Sequence, residues 1–338
     1  MGTRGMTQNS EFLVAAGMRN EGAFLVEWVT WYRMLGFDVL VATNDCTDHS
    51  PQLLNLLHDA GWLSHTTHSP DPGTPPKRTA HRAIRNHPLT AAHEWLLLCD
   101  VDELLVFHIG DGTVGGYLGD TSDNRFHGIG FHWKCFGTSG HETWEDTLQH
   151  RVFTRAAETQ HKANTSFKSL IRRPLEFAVF GAHSPQRYVG PGTWGEAGNV
   201  WLDGEGRKLG RYNPDGAAQR ATAPDRVTHL GAQMNHYITR TPESYALKLG
   251  VPSASAGRDR YTDEFWDNYN RNEVQDLSAL SYSDRFDPLY AQAMAIPGVA
   301  RLHHLCCADY VVRLAEAAGA DPAKDPRFER HMDLAASV

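Results

Sequence analysis

The side chains best suited to chemistry are the carboxylates that follow the apolar segment 95–98. Asp100 and Asp102 are separated by one residue, so in an extended backbone both side chains point to the same side. Two carboxylates this close repel each other unless a cation lies between them, and hard oxygen ligands suit Mn²⁺ or Mg²⁺, which also take phosphate oxygens. The pattern predicts a Mn²⁺ or Mg²⁺ cofactor that holds a diphosphate at the end of a buried strand. The alternative is a purely structural turn.

Apolar segments with strand character alternate with amphipathic segments in the first third of the chain. The predicted strands are 12–16, 37–43, 62–67 and the segment that ends at Asp100, and the predicted helices are 22–35, 50–60 and 77–86. This alternation predicts an α/β fold in which a mostly parallel, twisted sheet is flanked by helices.

Polar clusters follow the first two predicted strands. They are Arg19, Asn20 and Glu21 after the first strand, and Asn44, Asp45 and Asp48 after the second. Ligands bind at the carboxyl ends of parallel strands, so both clusters are expected to open onto the same crevice as Asp100 and Asp102. The convergence favours the metal–diphosphate interpretation over a structural turn.

The rest of the chain has a weaker pattern. Strands are predicted at 128–135, 151–155, 167–172 and 177–180, a long loop region at 181–226, and helices at 242–250, 262–272, 284–295 and 307–319. Because no linker interrupts this part, we expect one continuous domain with a helical C-terminal extension.

The composition excludes several classes of protein. The chain has 338 residues and a net charge of −8 without a basic run, which argues against a nucleic-acid partner. No apolar segment is long enough to span a bilayer, and the polar N-terminus does not resemble a signal peptide. Five cysteines, an odd number without zinc-ligand spacing, indicate reduced thiols and predict a cytoplasmic protein.

Taken in order, several motifs resemble the family-2-like glycosyltransferases of GT-A fold, and in particular a bacterial group related to family 92. They are Met18–Gly22, Glu27–Trp28, Asn44–Asp48, Trp95–Leu105, Trp133–Gly140, Lys168–Ser169 and Asn235–Tyr237. The likeness covers about residues 12–250. Cys46 and Leu104 stand where the family usually has Ser and Phe, and neither change removes a predicted metal ligand.

The resemblance implies a GT-A-type catalytic domain over 1–250. Its Rossmann-like nucleotide-sugar half would span about 12–127 and its acceptor half about 128–250, with 251–338 as a helical extension packed on it. The implied activity is that of a hexosyltransferase that moves a sugar from a nucleotide-diphospho-sugar, expected to be a UDP-sugar, to a hydroxyl of a carbohydrate or glycan acceptor with inversion. Mn²⁺ or Mg²⁺ would neutralise the diphosphate as the sugar–phosphate bond breaks.

The resemblance also assigns roles around the metal. It implies Asp102 as the main metal ligand and Asp100 as a contact to the donor ribose or, through water, to the metal. His183 and His236 are the candidates for a histidine that completes the metal shell, and the alternative for each is an ordinary packed histidine.

The donor itself is expected to meet the strand-end residues and a basic helix. The predicted nucleotide-sugar contacts are Arg19, Asn20, Glu21, Asn44, Asp45, Asp48, Arg78 and Asp100. Helix capping by Asn20 and Asx turns at Asp45 and Asp48 are the structural alternatives. For Lys77, Arg78 and Arg82, a solvated helix face is equally compatible with the sequence.

Inversion needs a carboxylate near the acceptor hydroxyl, and Asp146 and Glu142 are the candidates for this catalytic base. Trp133, Ser139 and His141 are predicted to contact the acceptor, although Trp133 also fits a packed core.

Two further carboxylates are expected to be structural. Glu27 faces the apolar stripe of its helix, where a carboxylate needs a partner, and Glu103 is expected to be buried in support of the site.

Two other classes of function compete with this interpretation. One is a metal-dependent nucleotidyltransferase or phosphohydrolase on a similar sheet, which the lack of a Walker-type glycine-rich loop weakens. The other is a non-catalytic carbohydrate-binding protein, which would have no use for the Asp100–Asp102 pair.

Overall fold

Strand and helix alternate through the first hundred residues, as the sequence predicts. The computed structural model describes residues 10–120, 126–196, 199–253, 257 and 259–338. The strands are β1 (Phe12–Met18), β2 (Asp38–Thr43), β3 (Ser64–Thr67), β4 (Trp95–Leu98), β5 (Glu103–Phe107), β6 (Gly128–Cys135), β7 (Arg155–Ala156), β8 (Phe167–Arg172), β9 (Phe177–Val179), β10 (Gln186–Tyr188), β11 (Trp201–Asp203), β12 (Ala232–His236) and β13 (Val274–Gln275). The α-helices are α1 (Gly22–Met34), α2 (Ser50–Asp59), α3 (Pro76–Asn86), α4 (Pro88–Ala92), α5 (Val114–Asp120), α6 (Gln149–Val152), α7 (Pro242–Ala246), α8 (Asp263–Tyr269), α9 (Ser283–Met294), α10 (Val299–Ala317) and α11 (Pro326–Ser337).

The main sheet has the strand order β3-β2-β1-β4-β8-β6-β12-β5, and β11 pairs with β6 outside this path. Strands β3, β2, β1 and β4 run parallel to one another, and β12 and β11 run parallel to β6. β8 is antiparallel to both β4 and β6, and β5 is antiparallel to β12. The predicted α/β class, a mostly parallel sheet flanked by helices, is confirmed.

The central strand β1 is buried on both faces, which is typical of a parallel strand covered by helices. Leu13 and Ala15 pack in one apolar cluster with Ile84 of α3, whereas Val14 lies in the larger cluster on the opposite face. α3 lies so close to β1 that a Cβ at Gly17 would be 2.6 Å from Cβ of Ala80. Glycine is therefore needed where this helix crosses the strand.

Helix α1 is buried almost all round, although its sequence predicts only one apolar stripe. The sheet covers one side, and helices α9 and α10 of the C-terminal region pack against the other. The larger apolar cluster is continuous from the sheet to α9 and α10. The C-terminal helices thus complete the core, while the boundary proposed at residue 250 stays a prediction.

Several predicted elements differ from the structure. The strand expected at 151–155 is instead the short helix α6 followed by the two-residue strand β7, and the helix expected at 242–250 ends at Ala246. α10 begins eight residues before the predicted start at 307, and α11 was not predicted. Across the described ranges, no helix is long and apolar enough to cross a membrane.

Candidate functional site

The segment from Asp100 to Asp102 is a turn, not the continuation of a strand. β4 ends at Leu98 and β5 begins at Glu103, and the Glu103 amide donates a 3.1 Å hydrogen bond to the carbonyl oxygen of Asp100. The prediction of an extended backbone through Asp100 and Asp102 was therefore wrong. The two carboxylates instead meet different partners.

Aromatic side chains of α1 hold the backbone of this turn. Trp28 Nε1 donates to the carbonyl oxygen of Asp100 at 3.0 Å, and Tyr32 Oη donates to that of Glu103 at 3.0 Å. Trp31 Nε1 donates to the Leu105 carbonyl oxygen at 2.8 Å. Because these residues are three and four positions apart, they share one helix face and fix the turn from one side.

Asp100 is paired with two lysines. Lys77 Nζ lies 2.6 Å from its Oδ2, and Lys168 Nζ lies 3.0 Å from the same oxygen. Burial acts to raise the pKa of Asp100, but the two ammonium groups hold it well below its usual value. The carboxylate is therefore ionised and already neutralised by the protein, so it is poorly placed to serve as a direct metal ligand.

Glu103 supports the turn from within the core, as the sequence predicts. Its side chain is fully buried, and Oε2 accepts from the Asp100 amide at 2.7 Å and lies 2.9 Å from Lys168 Nζ. Oε1 has no hydrogen-bond partner among the described residues. Burial, only partly offset by Lys168, raises the pKa of Glu103 to about 7.

Asp102 faces a histidine and a lysine. Its Oδ1 lies 3.8 Å from His236 Nε2, and its Oδ2 lies 3.8 Å from Lys248 Nζ. The carbonyl oxygen of Asp102 accepts from the Tyr237 amide at 2.9 Å, which ties the turn to the end of β12. Burial acts to raise its pKa, but His236 and Lys248 with Arg240 hold it below the usual value, so Asp102 is ionised at neutral pH.

His236 is suited to act as a neutral ligand. It lies opposite Glu103 in the β12–β5 pairing, and its Nε2 is 3.9 Å from Glu103 Oε1. Burial lowers the pKa of His236 to about 3, so the imidazole carries no charge at neutral pH. An ionised carboxylate, a neutral imidazole and an orphaned carboxylate oxygen are donors that fit Mn²⁺, and the first two are the pair that would hold the ion.

The other predicted histidine lies nearby but is engaged. His183 Nδ1 is 3.0 Å from the Phe167 carbonyl oxygen, which leaves Nε2 as the acceptor. The Trp133 ring contacts both histidines, and its centroid lies 4.1 Å from that of His236 and 5.4 Å from that of His183. Within the described ranges, no three of Asp100, Asp102, His183 and His236 have ligand atoms all within 4.8 Å of one another.

A buried arginine and a half-buried lysine act on the charge of Asp102, and the sequence analysis missed both. Arg240 Nη1 lies 3.5 Å from Glu21 Oε2, and its Nε donates to Gln149 at 2.9 Å, but the buried Nη2 has no hydrogen-bond partner among the described residues. Lys248 Nζ donates to the Ile238 carbonyl oxygen at 2.6 Å. The available signal was their position, four and twelve residues after His236 in the Asn235–Tyr237 motif.

A cavity of about 120 Å³ adjoins Arg240. Its walls include Phe24, His141, Trp144 and Thr241, and the Arg240 guanidinium lies 3.6 Å above the Phe24 ring. Of the three predicted acceptor contacts, only His141 lines this cavity. Trp133 lies at the histidines, and Ser139 Oγ accepts from the amides of Thr154 and Arg155 at 2.9 Å each.

The predicted strand-end residues have structural contacts of their own. Asn20 lies in the left-handed region with φ of 57°, and it both donates to and accepts from Thr47. Asp48 accepts from the Ser50 amide and hydroxyl and from the Gly22 amide. These bonds join the loops after β1 and β2.

The remaining predicted nucleotide contacts are spread over the same edge of the sheet. Asn44 donates to Asp45 at 3.0 Å, Glu21 faces Arg240, and Arg19 is exposed. Arg78 is exposed on α3, and its neighbour Lys77 is the residue that reaches Asp100.

The two candidates for the catalytic base lie on the loop before α6. Asp146 pairs with His303 of α10, with Oδ1 3.1 Å from Nε2, whereas Glu142 is exposed. Neither observation tests the predicted role of Asp146 or Glu142 as the catalytic base, which stays a prediction.

Fold and site together define an α/β protein in which a carboxylate, an imidazole, a lysine and an arginine lie at the carboxyl edge of the parallel strands. No protein-family model and no curated protein matches the chain. Among solved structures, TarS of S. aureus is 10% identical over 95% of this chain, with a TM-score of 0.35, and this chain spans 55% of its length.

Three other solved structures give similar values. S. aureus TarS 1–349 in complex with UDP is 11% identical, covering 96% of this chain and 91% of that chain with a TM-score of 0.36. An active-site mutant of LgtC is 12% identical over 48% of this chain and 58% of that chain, with a TM-score of 0.26. A putative glucose-1-phosphate thymidylyltransferase from Bacillus anthracis is 9% identical over 48% of this chain and 71% of that chain, also with a TM-score of 0.26. All these TM-scores lie below 0.5.

Proposed function

We propose that this chain is a glycosyltransferase that takes a sugar from a nucleotide-diphospho-sugar, with Mn²⁺ or Mg²⁺ held by Asp102 and His236. The proposal rests on one observation: side chains that can bind a metal ion lie close to cationic side chains that can bind an anion. Asp102 and His236 offer metal ligands, and Lys248 Nζ lies 3.8 Å from Asp102. Arg240, whose Nη2 has no hydrogen-bond partner among the described residues, is close enough for its charge to lower the pKa of Asp102. A diphosphate with a bound divalent ion satisfies both groups at once.

A buried, unpaired guanidinium nitrogen is costly unless an anion or water pairs with it. Arg240 is held in place by Gln149 through its Nε and by the Phe24 ring below it, so little side-chain entropy is lost when an anion binds. Lys248 adds a second positive charge within the same neighbourhood. These two residues are the proposed contacts to the phosphate oxygens of the donor.

When bound, the ion supplies Lewis-acid stabilisation of the diphosphate leaving group. Asp102 lies in the β4–β5 turn, and His236 lies at the end of β12. The hydrogen bond from the Tyr237 amide to the Asp102 carbonyl oxygen holds the turn and the strand end together. Lys168 and Glu103 hold the turn from within the core, and Asp100 stays neutralised by its lysines. Asp100 is therefore proposed as a contact to the donor ribose, the role that the resemblance implies.

The same proposal covers the donor, the acceptor and the stereochemistry of the transfer. The donor is a UDP-sugar, the acceptor is a carbohydrate hydroxyl, and the transfer inverts the anomeric centre, with Glu142 or Asp146 as the base. The cavity beside Arg240, with Trp144 and His141 in its wall, is the proposed place for the acceptor because aromatic faces suit sugar rings.

A thermal-shift panel of UDP-, GDP-, dTDP- and CDP-sugars with Mn²⁺ tests the proposal. We expect stabilisation by donors of one base, and loss of that stabilisation with EDTA. Incubation of the stabilising donor with a glycan array should then release the nucleoside diphosphate. Release of pyrophosphate from a nucleoside triphosphate and a sugar phosphate would instead identify a nucleotidyltransferase, and sugar binding that ignores both metal and nucleotide would identify a binding protein.

A further inference from the structure

A second set of metal-ligating side chains lies where the loop before α6 meets α10. His303 Nε2 is 3.1 Å from Asp146 Oδ1, and Cys307 Sγ is 3.6 Å from the same nitrogen. One ligand atom from each residue lies within 4.8 Å of the other two. Oxygen, nitrogen and sulfur donors therefore converge at a place that the Asp102 site does not include.

The distances match those across a tetrahedral ion. Zinc bonds of about 2.0–2.1 Å to nitrogen or oxygen and about 2.3 Å to sulfur place two bound atoms roughly 3.3 Å apart for nitrogen and oxygen, and roughly 3.6 Å apart for nitrogen and sulfur. The observed separations are 3.1 Å for the Asp146–His303 pair and 3.6 Å for the His303–Cys307 pair. The third pair, Asp146 and Cys307, has ligand atoms within 4.8 Å of each other.

The helix and the burial of the cluster also suit a bound ion. His303 and Cys307 are four residues apart in α10, so both side chains project from one face of the helix. Cys307 and His303 are both buried.

A neighbouring triad shares Asp146 but fits less well. His304 Nδ1 lies 3.8 Å from Asp146 Oδ2 and 3.4 Å from His331 Nδ1. These two histidines offer nitrogen only, and the contact to Asp146 is longer than a tetrahedral ion would give. The sulfur ligand and the shorter contacts favour the first triad.

We propose that Asp146, His303 and Cys307 bind one Zn²⁺ ion, with the fourth position open to water. The combination of thiolate, imidazole and carboxylate selects zinc over Mg²⁺, Ca²⁺ and Mn²⁺. The ion ties α10 to the loop that carries Trp144 in the wall of the cavity. Asp146 is then a ligand, and Glu142 is the remaining candidate for the base. The zinc proposal does not depend on the proposed function.

Zinc titration of the full chain after removal of metal, in competition with a chromophoric chelator, tests this site. We expect one tight Zn²⁺ per chain and, when Co²⁺ replaces it, a near-ultraviolet thiolate-to-cobalt charge-transfer band. Cys307→Ser should abolish the band, and both Cys307→Ser and His303→Gln should weaken zinc binding at least about tenfold, since removal of an outer-shell partner alone costs that much. His331→Gln is the matched control and should bind zinc as the wild type does.

If a variant fails to fold, the cobalt spectrum of the wild type alone shows whether a thiolate binds the ion. Absence of stoichiometric zinc, or a cobalt complex without the thiolate band, overturns the proposal. Loss of binding in His331→Gln with retention in Cys307→Ser also overturns it, in favour of the neighbouring triad. Asp102→Asn should keep the tight zinc, which separates failure of this site from failure of the proposed donor site.

Discussion

The ammonium group of Lys168 lies between two carboxylates, with Nζ 3.0 Å from Oδ2 of Asp100 and 2.9 Å from Oε2 of Glu103. Lys168 comes from β8, which is antiparallel to β4, so the sheet itself delivers this charge beneath the β4–β5 turn. Glu103 also accepts from the Asp100 amide. Lys168 thus binds the residues at both ends of the turn that contains Asp102.

Replacement of Lys168 by Met should destabilise the protein by about 3–5 kcal/mol, because it leaves Glu103 buried without its charged partner. Urea denaturation followed by tryptophan fluorescence measures the change. Lys162→Met, which removes an exposed lysine, is the control and should cost less than 1 kcal/mol. The double variant Lys168→Met/Glu103→Gln should recover part of the loss, and equal stability of Lys168→Met and wild type would contradict the structural role given to Lys168.

Replacement of Arg240 by Gln should weaken binding of the donor nucleotide at least about tenfold, because a charge-assisted contact to phosphate is lost in a buried site. Isothermal titration with the nucleoside diphosphate selected by the thermal-shift panel measures this affinity. Arg220→Gln removes an exposed arginine outside the site and should bind as the wild type does. Equal affinity in all three proteins would remove Arg240 from the proposed phosphate contacts.

Replacement of Glu27 by Gln should lower the free energy of unfolding by about 3 kcal/mol. Glu27 is buried, and its carboxylate accepts from the amides of Gln149 and His150 at 2.9 and 3.1 Å and meets His150 Nδ1 at 2.7 Å. It therefore anchors the start of α6, in the anchoring role that the sequence predicts. Thermal unfolding by circular dichroism compares it with Glu316→Gln at an exposed position of α10, and an equal melting temperature for both variants is the contrary result.

Stability should fall as the pH drops below 6.5, in part because of His132. Burial lowers the pKa of His132 from 6.5 to about 4 in the folded chain, so between these values the unfolded chain binds a proton that the folded chain does not. His132 is fully buried, and its Nε2 lies 2.9 Å from Thr222 Oγ1. Between pH 7 and pH 5 this one group should cost about 2 kcal/mol of stability.

Urea denaturation of wild type and His132→Gln at the two pH values measures this contribution. The variant should lose about 2 kcal/mol less than the wild type on going from pH 7 to pH 5. Parallel pH dependence of the two proteins would show that His132 titrates normally in the folded chain.

The local elements near the sheet could be predicted because their patterns are strong. The apolar β1 segment, the stripe of α1 and the Ser50–Pro51 start of α2 all lie within two residues of their predicted places. The start of α10 could not be placed, because its first turns include His303 and His304, which break the apolar period in favour of contacts with Asp146.

The candidate site was predicted in part. Asp102 and His236 were chosen from motifs, and the structure brings them within 3.8 Å of each other. Arg240 and Lys248 were missed because charged residues at isolated positions give no periodic signal, and their approach to the site depends on tertiary packing. The pairing of Asp100 with two lysines could not be predicted for the same reason, because α3 and β8 come together at the turn only in the folded sheet.

The proposed metal site at Asp102 is tested by isothermal titration of the donor nucleotide into the wild type and Asp102→Asn, each with Mn²⁺ and with EDTA. We expect Mn²⁺ to strengthen nucleotide binding to the wild type at least about tenfold, since the ion would join the diphosphate to Asp102 and His236. Asp102→Asn should bind weakly and equally in both conditions, while Asp215→Asn at an exposed position should behave as the wild type does. Retention of Mn²⁺-dependent binding at wild-type affinity in Asp102→Asn would show that Asp102 does not hold the ion.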